Sequence, residues 1–313
     1  MLRLIGRRLL ISIPVVFVVT ALSFGLLQLL PGNAAEALLG PQATPQEIAG
    51  LTKSLGLDRP FYDQYWTWLA QLGHGNLGAS LANGQSVTSL LNQRLGVSVS
   101  LMSGALIGAI IIGGAIGILS AARPGVLSRL LDLLAIGGLA LPAFWIALVL
   151  ILLLSTKARL LPALGYVPPS TSLASWARFL ILPWIALGAT IATIIAKQTR
   201  DAMSDALAAP YVTSLRANGT PEWKLIFKHA LRNAAIPVVT VIGLLFVGAL
   251  STAVIAEQIF SLPGLGSAIV TATTNRDIPV IQGIALYLTV IVVIVNLLVD
   301  LAYGWLNPKV RAS

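Results

Sequence analysis

Six stretches without a charged residue divide the chain: Leu9–Leu30, Leu95–Ala122, Leu133–Thr156, Phe179–Ala196, Asn233–Ala256 and Ile278–Val299. Each approaches or exceeds the ~20 residues that cross a bilayer core. One charge at the centre of such a helix costs roughly 2.5–3.5 kcal/mol on insertion scales, so six such gaps are not accidental. Helices of soluble proteins average about 11–12 residues and show a polar face, which these stretches lack. The pattern predicts an all-α, polytopic membrane protein with about six transmembrane helices, read as a single transmembrane domain over residues 1–313.

Lys and Arg set the orientation. With the N-terminus inside, the inner segments hold thirteen of the twenty, six of them between Lys197 and Arg232; the outer segments hold seven, spread over longer loops. Both termini are therefore expected in the cytoplasm, with 31–94 an extracytoplasmic loop and 197–232 a cytoplasmic one. The net charge of +9 becomes a topology signal, and a nucleic-acid face is excluded. The first stretch follows an Arg-rich start but, at 22 residues, exceeds the usual apolar core of about 7–15 in a cleaved signal, which predicts a retained helix.

Catalytic chemistry has little to work with. The chain has no Cys, and its two His, His74 and His229, fall on opposite sides of the membrane, which removes thiolate chemistry and argues against a His-based metal site or a Ser-His-Asp triad. No Gly-x-x-x-x-Gly-Lys-Ser/Thr loop is present, so any ATP-driven work has to draw on the nucleotide site of another subunit. An ion-coupled secondary carrier is one class to weigh. Such carriers place ionisable groups near the bilayer midplane; here Asp132 and Asp300 fall near the inner ends of their spans, and no internal repeat is evident. A membrane-embedded hydrolase or transferase needs converging His, Cys or carboxylates that this chain does not gather.

Two loops carry organisation. In the outer one, Thr44-Pro45-Gln46-Glu47 predicts a capped helix stopped at Gly56, and Asp58-x-Pro60 precedes Phe61, Tyr65, Trp68, Leu69 and Leu72 at helical spacing up to Gly73. The aromatic density suits an interfacial helix, either a lid on the outer helix ends or a docking surface for an external partner. In the inner loop, Gly219 is a break, Thr220 a candidate N-cap and Pro221 a first helical residue, with Glu222 complementing the helix dipole. Trp223, Ile226, Phe227, Ala230 and Leu231 form one stripe; Lys224, Lys228 and Arg232 form the opposite one, with Leu225 the exception. Such a helix either rests on anionic lipid or inserts into the groove of a soluble partner. In the second span, Gly104-x-x-x-Gly108 and Gly113-x-x-x-Gly117 offer a small-residue packing face. Pro14, Pro142, Pro183 and Pro237 are candidate kinks.

The segment Tyr211-Val212-Thr213-Ser214-Leu215-Arg216-Ala217-Asn218-Gly219, continuing through His229-Ala230-Leu231-Arg232-Asn233-Ala234-Ala235-Ile236-Pro237, resembles the ATPase-contact loop of ABC-importer permeases, most closely the B-type subunit of the dipeptide/oligopeptide family. Glu257-Gln258-Ile259-Phe260-Ser261-Leu262-Pro263-Gly264-Leu265-Gly266, with Asn275 to Gly283, is similar to the last outer loop of that subfamily. Leu29-Leu30-Pro31-Gly32 and Leu55-Gly56-Leu57-Asp58-Arg59-Pro60 also fit. Where the family commonly has an acidic residue before Tyr-Val and basic residues after it, this chain has Pro210, Thr213 and Asn218.

The resemblance implies the type I ABC importer permease fold and a non-catalytic subunit forming half of a pathway for di- or oligopeptides, with nickel chelates, haem, glutathione or another small solute as alternatives. It implies as partners a second, homologous permease, two cytoplasmic ATPases carrying ATP and Mg, an extracytoplasmic solute-binding protein and membrane lipid, all at the inner membrane of a prokaryote. Coupling to the ATPases is then expected at Arg216, Gly219, Pro221, Glu222, Trp223, Lys224, Phe227, Lys228 and Arg232. No cofactor or metal is expected on this chain, and the substrate-lining residues stay unassigned.

Overall fold

The computed structural model describes residues 2–28, 34–40, 42–123 and 125–306. The Leu29–Gly32 motif, Lys309 and Arg311 lie outside them. Among the described residues the regular structure is helical, apart from one isolated bridge between Ala79 and Ser86. The helices are α1 (Leu2–Gln28), α2 (Ala34–Leu39), α3 (Pro45–Ser54), α4 (Phe61–Gly73), α5 (Val87–Ala122), α6 (Val126–Ala140), α7 (Ala143–Lys157), α8 (Leu173–Ala208), α9 (Pro210–Ala217), α10 (Glu222–Ile259), α11 (Leu265–Thr274) and α12 (Ile278–Leu306). Five of them, α1, α5, α8, α10 and α12, are long and apolar enough to cross a membrane.

The third apolar stretch is not one helix. It is divided between α6 and α7 at Leu141-Pro142, where Leu141 is extended (φ −91°, ψ 120°) and Pro142 becomes the N-cap of α7. Proline removes a backbone donor and drives its predecessor out of the helical region, and here both effects are realised. Pro14, Pro183 and Pro237, by contrast, sit inside continuous helices.

The chain forms two compact units, and α5 and α12 each pass from one to the other. One comprises Leu2–Ser98 with Pro263–Ile294. Its core joins Phe24, Tyr65, Trp68, Leu77, Val87, Leu91, Leu265, Val280 and Ile284. The aromatic residues of α4 divide here: Tyr65 and Trp68 are buried, while Phe61, Tyr62 and Trp66 remain exposed. Tyr65 stacks with Trp68, meets Phe17 and Phe24 of α1 edge-on, and shares a 3.0 Å hydrogen bond with Thr20. Gln282, fully buried, donates to the Thr20 carbonyl at 2.9 Å. The expected capping box of α3 is formed: the Thr44 N–H donates to Glu47 Oε2 at 2.8 Å, and the Glu47 N–H returns to Thr44 Oγ1 at 3.4 Å. Pro60 is the residue before α4, and no side chain caps the start of that helix.

Buried Asp277 ties the loop before α5 to the start of α12. It accepts from the Ser80 hydroxyl and from the Leu81 and Ala82 N–H groups at 3.1 and 3.4 Å.

The second unit comprises Val99–Leu262 and the chain from Val295. The half-buried helix α8 carries Leu180, Leu182, Ile191, Ile195 and Met203 into its core. Small residues let α5 and α6 close on it. A Cβ on Gly113 would stand 2.4 Å from the Ala192 carbonyl oxygen, one on Gly117 2.6 Å from that of Ala196, and one on Gly138 2.6 Å from Thr193 Oγ1. The hydroxyls of Ser120 and Ser128, both buried, pair at 3.0 Å and fasten the end of α5 to the start of α6.

Candidate coupling loop and its supports

The residues between α8 and α10 fold as a braced bracket. Pro210 opens α9 as its first residue, with Ala209 extended before it, and the helix ends at Ala217. Gly219 then takes φ +77°, the left-handed conformation glycine adopts at low cost, and the Thr220 N–H reaches back to the Leu215 carbonyl at 3.1 Å. This helix was not anticipated. Its signals were present in Pro210 at the first turn, Val212 and Leu215 on one face and Gly219 past the end.

Two side-chain links hold the bracket. Arg216 donates from Nε to Glu222 Oε1 at 2.6 Å and from Nη2 to Oε2 at 3.2 Å, a bidentate pair across the Gly219 turn. The hydrogen bond, then the neighbouring charge, holds the Arg216 guanidinium above its ordinary pKa. Asn233 Nδ2 donates to the Tyr211 hydroxyl at 2.9 Å, joining α9 to α10.

The expected helix from Pro221 to Arg232 departs from the sequence reading in three ways. Thr220 is not its cap, because Pro221 occupies the N-cap position and helical winding starts at Glu222. The helix is also not a separate short element, since it runs without interruption into the fifth span as α10. Lastly, Leu225–Ala230 is wound as a π-helix, with the Leu231 N–H bonded to the Ile226 carbonyl five residues back. The wider turn brings residues five apart onto one face, so Leu225 and Ala230 are both fully buried. Ala230 packs with Met203 and Ala234, flanked by Ile118, Leu207, Ile226 and Leu231. The apparent exception in the stripe is thus an anchor. Trp223 and Phe227 are instead 62% and 58% exposed. Lys224, whose Nζ lies 5.5 Å from the Trp223 ring centre, is exposed with Lys228 and Arg232.

The glycines of α5 also divide. Gly104 lies under Trp184, whose ring atoms stand 2.2 Å from where a Cβ would be, and the indole N–H donates to the Ser100 carbonyl at 3.0 Å. Gly113 and Gly117 meet α8 backbone. Gly108 meets nothing within 4 Å; it borders a mainly apolar cavity of about 410 Å³ with Ile112, Ile185 and Ala189. Within the described residues no three His, Cys, Asp or Glu side chains gather as metal ligands.

Comparison with known proteins agrees along the whole chain. Residues 113–312 match the family of the binding-protein-dependent transport system inner membrane component, and residues 1–102 match its N-terminal companion. The chain is 37% identical to the protein named "Probable peptide ABC transporter permease protein y4tP" of Sinorhizobium fredii, covering 97% of this chain and 98% of that one. It is also 37% identical, over the same shares, to the dipeptide transport system permease protein DppB of Alkalihalophilus pseudofirmus. The glutathione transport system permease protein GsiC of Escherichia coli is 36% identical over 99% of each chain. With its apolar helices and near-complete coverage, the chain belongs to the inner-membrane permease family of binding-protein-dependent ABC importers.

Proposed function

We propose that this permease subunit carries di- or oligopeptides, and that the bracket from α9 to the start of α10 receives an ATPase. The near-full-length similarity to the peptide and dipeptide permeases carries the substrate reading. Peptides vary in side chain but share a backbone, and the six uncharged stretches suit a pathway that does not select by fixed charge. The similarity to the glutathione permease gives a second reading within the same chemistry, since glutathione is itself a modified tripeptide.

The exposed Trp223 and Phe227 favour docking. Two large apolar rings on a cytoplasmic loop expose area that a groove in a partner can bury, and aromatic anchors dominate such interfaces. Arg216, Gly219, Pro221 and Glu222 shape the bracket, while Lys224, Lys228 and Arg232 give it a positive rim. Two ATPase subunits, holding ATP and Mg, grip this subunit and a homologous permease; a solute-binding protein delivers the peptide outside. Closure of the ATPases displaces the bracket, and α10 transmits that displacement into the membrane. The chain itself performs no catalysis in this reading, and both of its termini face the cytoplasm.

Uptake of a labelled dipeptide tests the substrate in a strain lacking every parallel peptide importer. Deleting this subunit should abolish uptake and confer resistance to toxic peptide analogues, with unlabelled glutathione as competitor separating the two readings. Undiminished uptake overturns the peptide assignment.

A further inference from the structure

A second polar site lies where α7 ends and α8 begins. Ser155, Arg159, Leu160, Leu161, Pro162, Ser175, Arg178 and Phe179 line an open cavity of about 440 Å³. Both arginines are exposed, and among the described residues neither stands in an ion pair. Arg178 spends one donor on the Leu160 carbonyl, at 3.3 Å, which leaves most of its guanidinium for the cavity. The hydroxyls of Ser155 and Ser175 add further donors.

Arg159 has φ +53°, in the left-handed region where glycine is the favoured residue after a helix end. The helix closes around it, since the Leu160 N–H bonds to the Leu154 carbonyl at 2.9 Å. A non-glycine residue is strained in this conformation. The chain accepts that strain and places a guanidinium at the cavity.

The surroundings identify the medium. Leu152 and Leu153 on α7 are exposed, and Leu160, which lines the cavity beside both arginines, is 62% exposed. Apolar side chains adjoining paired cations one turn past an apolar helix are suited to the level where acyl chains meet headgroups. We propose that this cavity binds the phosphate of a membrane phospholipid through Arg159 and Arg178, with the leucines against its acyl chains. The inference goes beyond the transport reading and does not depend on the substrate.

The test uses the transporter purified gently with its partner subunits, stripped of lipid and titrated with phosphatidylglycerol while bound lipid is counted by native mass spectrometry. Arg159→Gly combined with Arg178→Gln should weaken retention by about ten-fold or more. Arg159→Gly relieves the backbone strain, so its share of the loss cannot be attributed to misfolding at that position. Lys53→Gln, in another loop, should retain lipid like the parent. Equal phosphatidylglycerol retention in parent and double variant overturns the proposal. Displacement of the lipid by inorganic phosphate at equal concentration also overturns it, because the site then takes the free anion.

Discussion

Arg216 and Glu222 face each other across the Gly219 turn in a two-bond pair, 2.6 and 3.2 Å long, that fixes the angle between α9 and α10. Both partners are exposed, so the pair shapes the loop more than it stabilises the fold. Arg216→Ala should speed amide exchange over residues 217–222 without lowering the melting temperature measurably. Reversing the charges, with Arg216→Glu and Glu222→Arg together, should restore protection. Unchanged exchange in the single variant would show that Gly219 and Pro221 alone hold the turn.

Trp223 and Phe227 should separate docking from folding when compared with Leu225. Replacing both exposed rings by Ala should leave thermal stability intact and weaken ATPase co-purification, roughly 30-fold for an anchor worth about 2 kcal/mol. Leu225→Ala removes a fully buried side chain and should destabilise by about 2–5 kcal/mol, read as lost folded yield in detergent. If the double ring variant keeps its ATPase at full occupancy, the docking assignment fails.

The glycines of α5 should respond unequally to enlargement. Gly113→Leu drives a side chain into the Ala192 carbonyl, which cannot move aside, and should cost about 1–3 kcal/mol or more. Gly108→Leu enters the cavity beside Ile185 and should leave the melting temperature of the subunit near that of the parent. Equal loss in both would mean that the cavity beside Gly108 does not admit the added side chain.

Glu47 supplies a pH test. The Thr44 N–H, then the Thr44 hydroxyl, holds its carboxyl below the ordinary value of 4.5. A carboxylate depressed in the folded state contributes stability that is fully present above its unfolded value and lost as the pH falls through its folded one. Amide protection across α3 should therefore be constant above pH about 5 and decline below about 4.5. Glu47→Gln, which cannot ionise, should flatten that decline. A parent profile as flat as the variant's would show that the charge adds nothing to the cap.

Asp277 is the buried acceptor of the other unit. Asp277→Ala strands the buried Ser80 hydroxyl and the half-buried Leu81 N–H and should cost about 1–3 kcal/mol for each left unpaired. Protease cleavage near residues 80–84 reports it. Wild-type resistance in the variant would mean that water replaces the carboxylate.

The spans were legible because absence of charge is a one-dimensional signal: the described residues of five of the six apolar stretches lie in single long helices. Pro142 was visible as a candidate kink, yet nothing local distinguishes it from Pro14, Pro183 and Pro237, which their helices absorb. The α3 box was legible because both halves lie within four residues. Leu225 was not, since a stripe drawn at about 100° per residue assumes an α-helix and one wider turn moves every later side chain. Gly108 shares its spacing with Gly104, but what stands opposite it comes from α8, distant in sequence. Asp277 meets Ser80 from 197 residues away, a pairing no local pattern encodes.

Because Glu222–Ile259 is one uninterrupted helix of 38 residues, it forms a rod roughly 55 Å long with Trp223 near one tip. A tilt of about 5° around its midpoint carries each end sideways by about 2.5 Å, in opposite directions. The π-wound turn lies close to the end that bears Trp223, where the winding departs from the tighter α-helical hydrogen-bond pattern. A shove at the indole is thus divided between leaning the whole shaft and twisting its first turns. How stiff Leu225–Ala230 is decides how much of the stroke arrives at the far end.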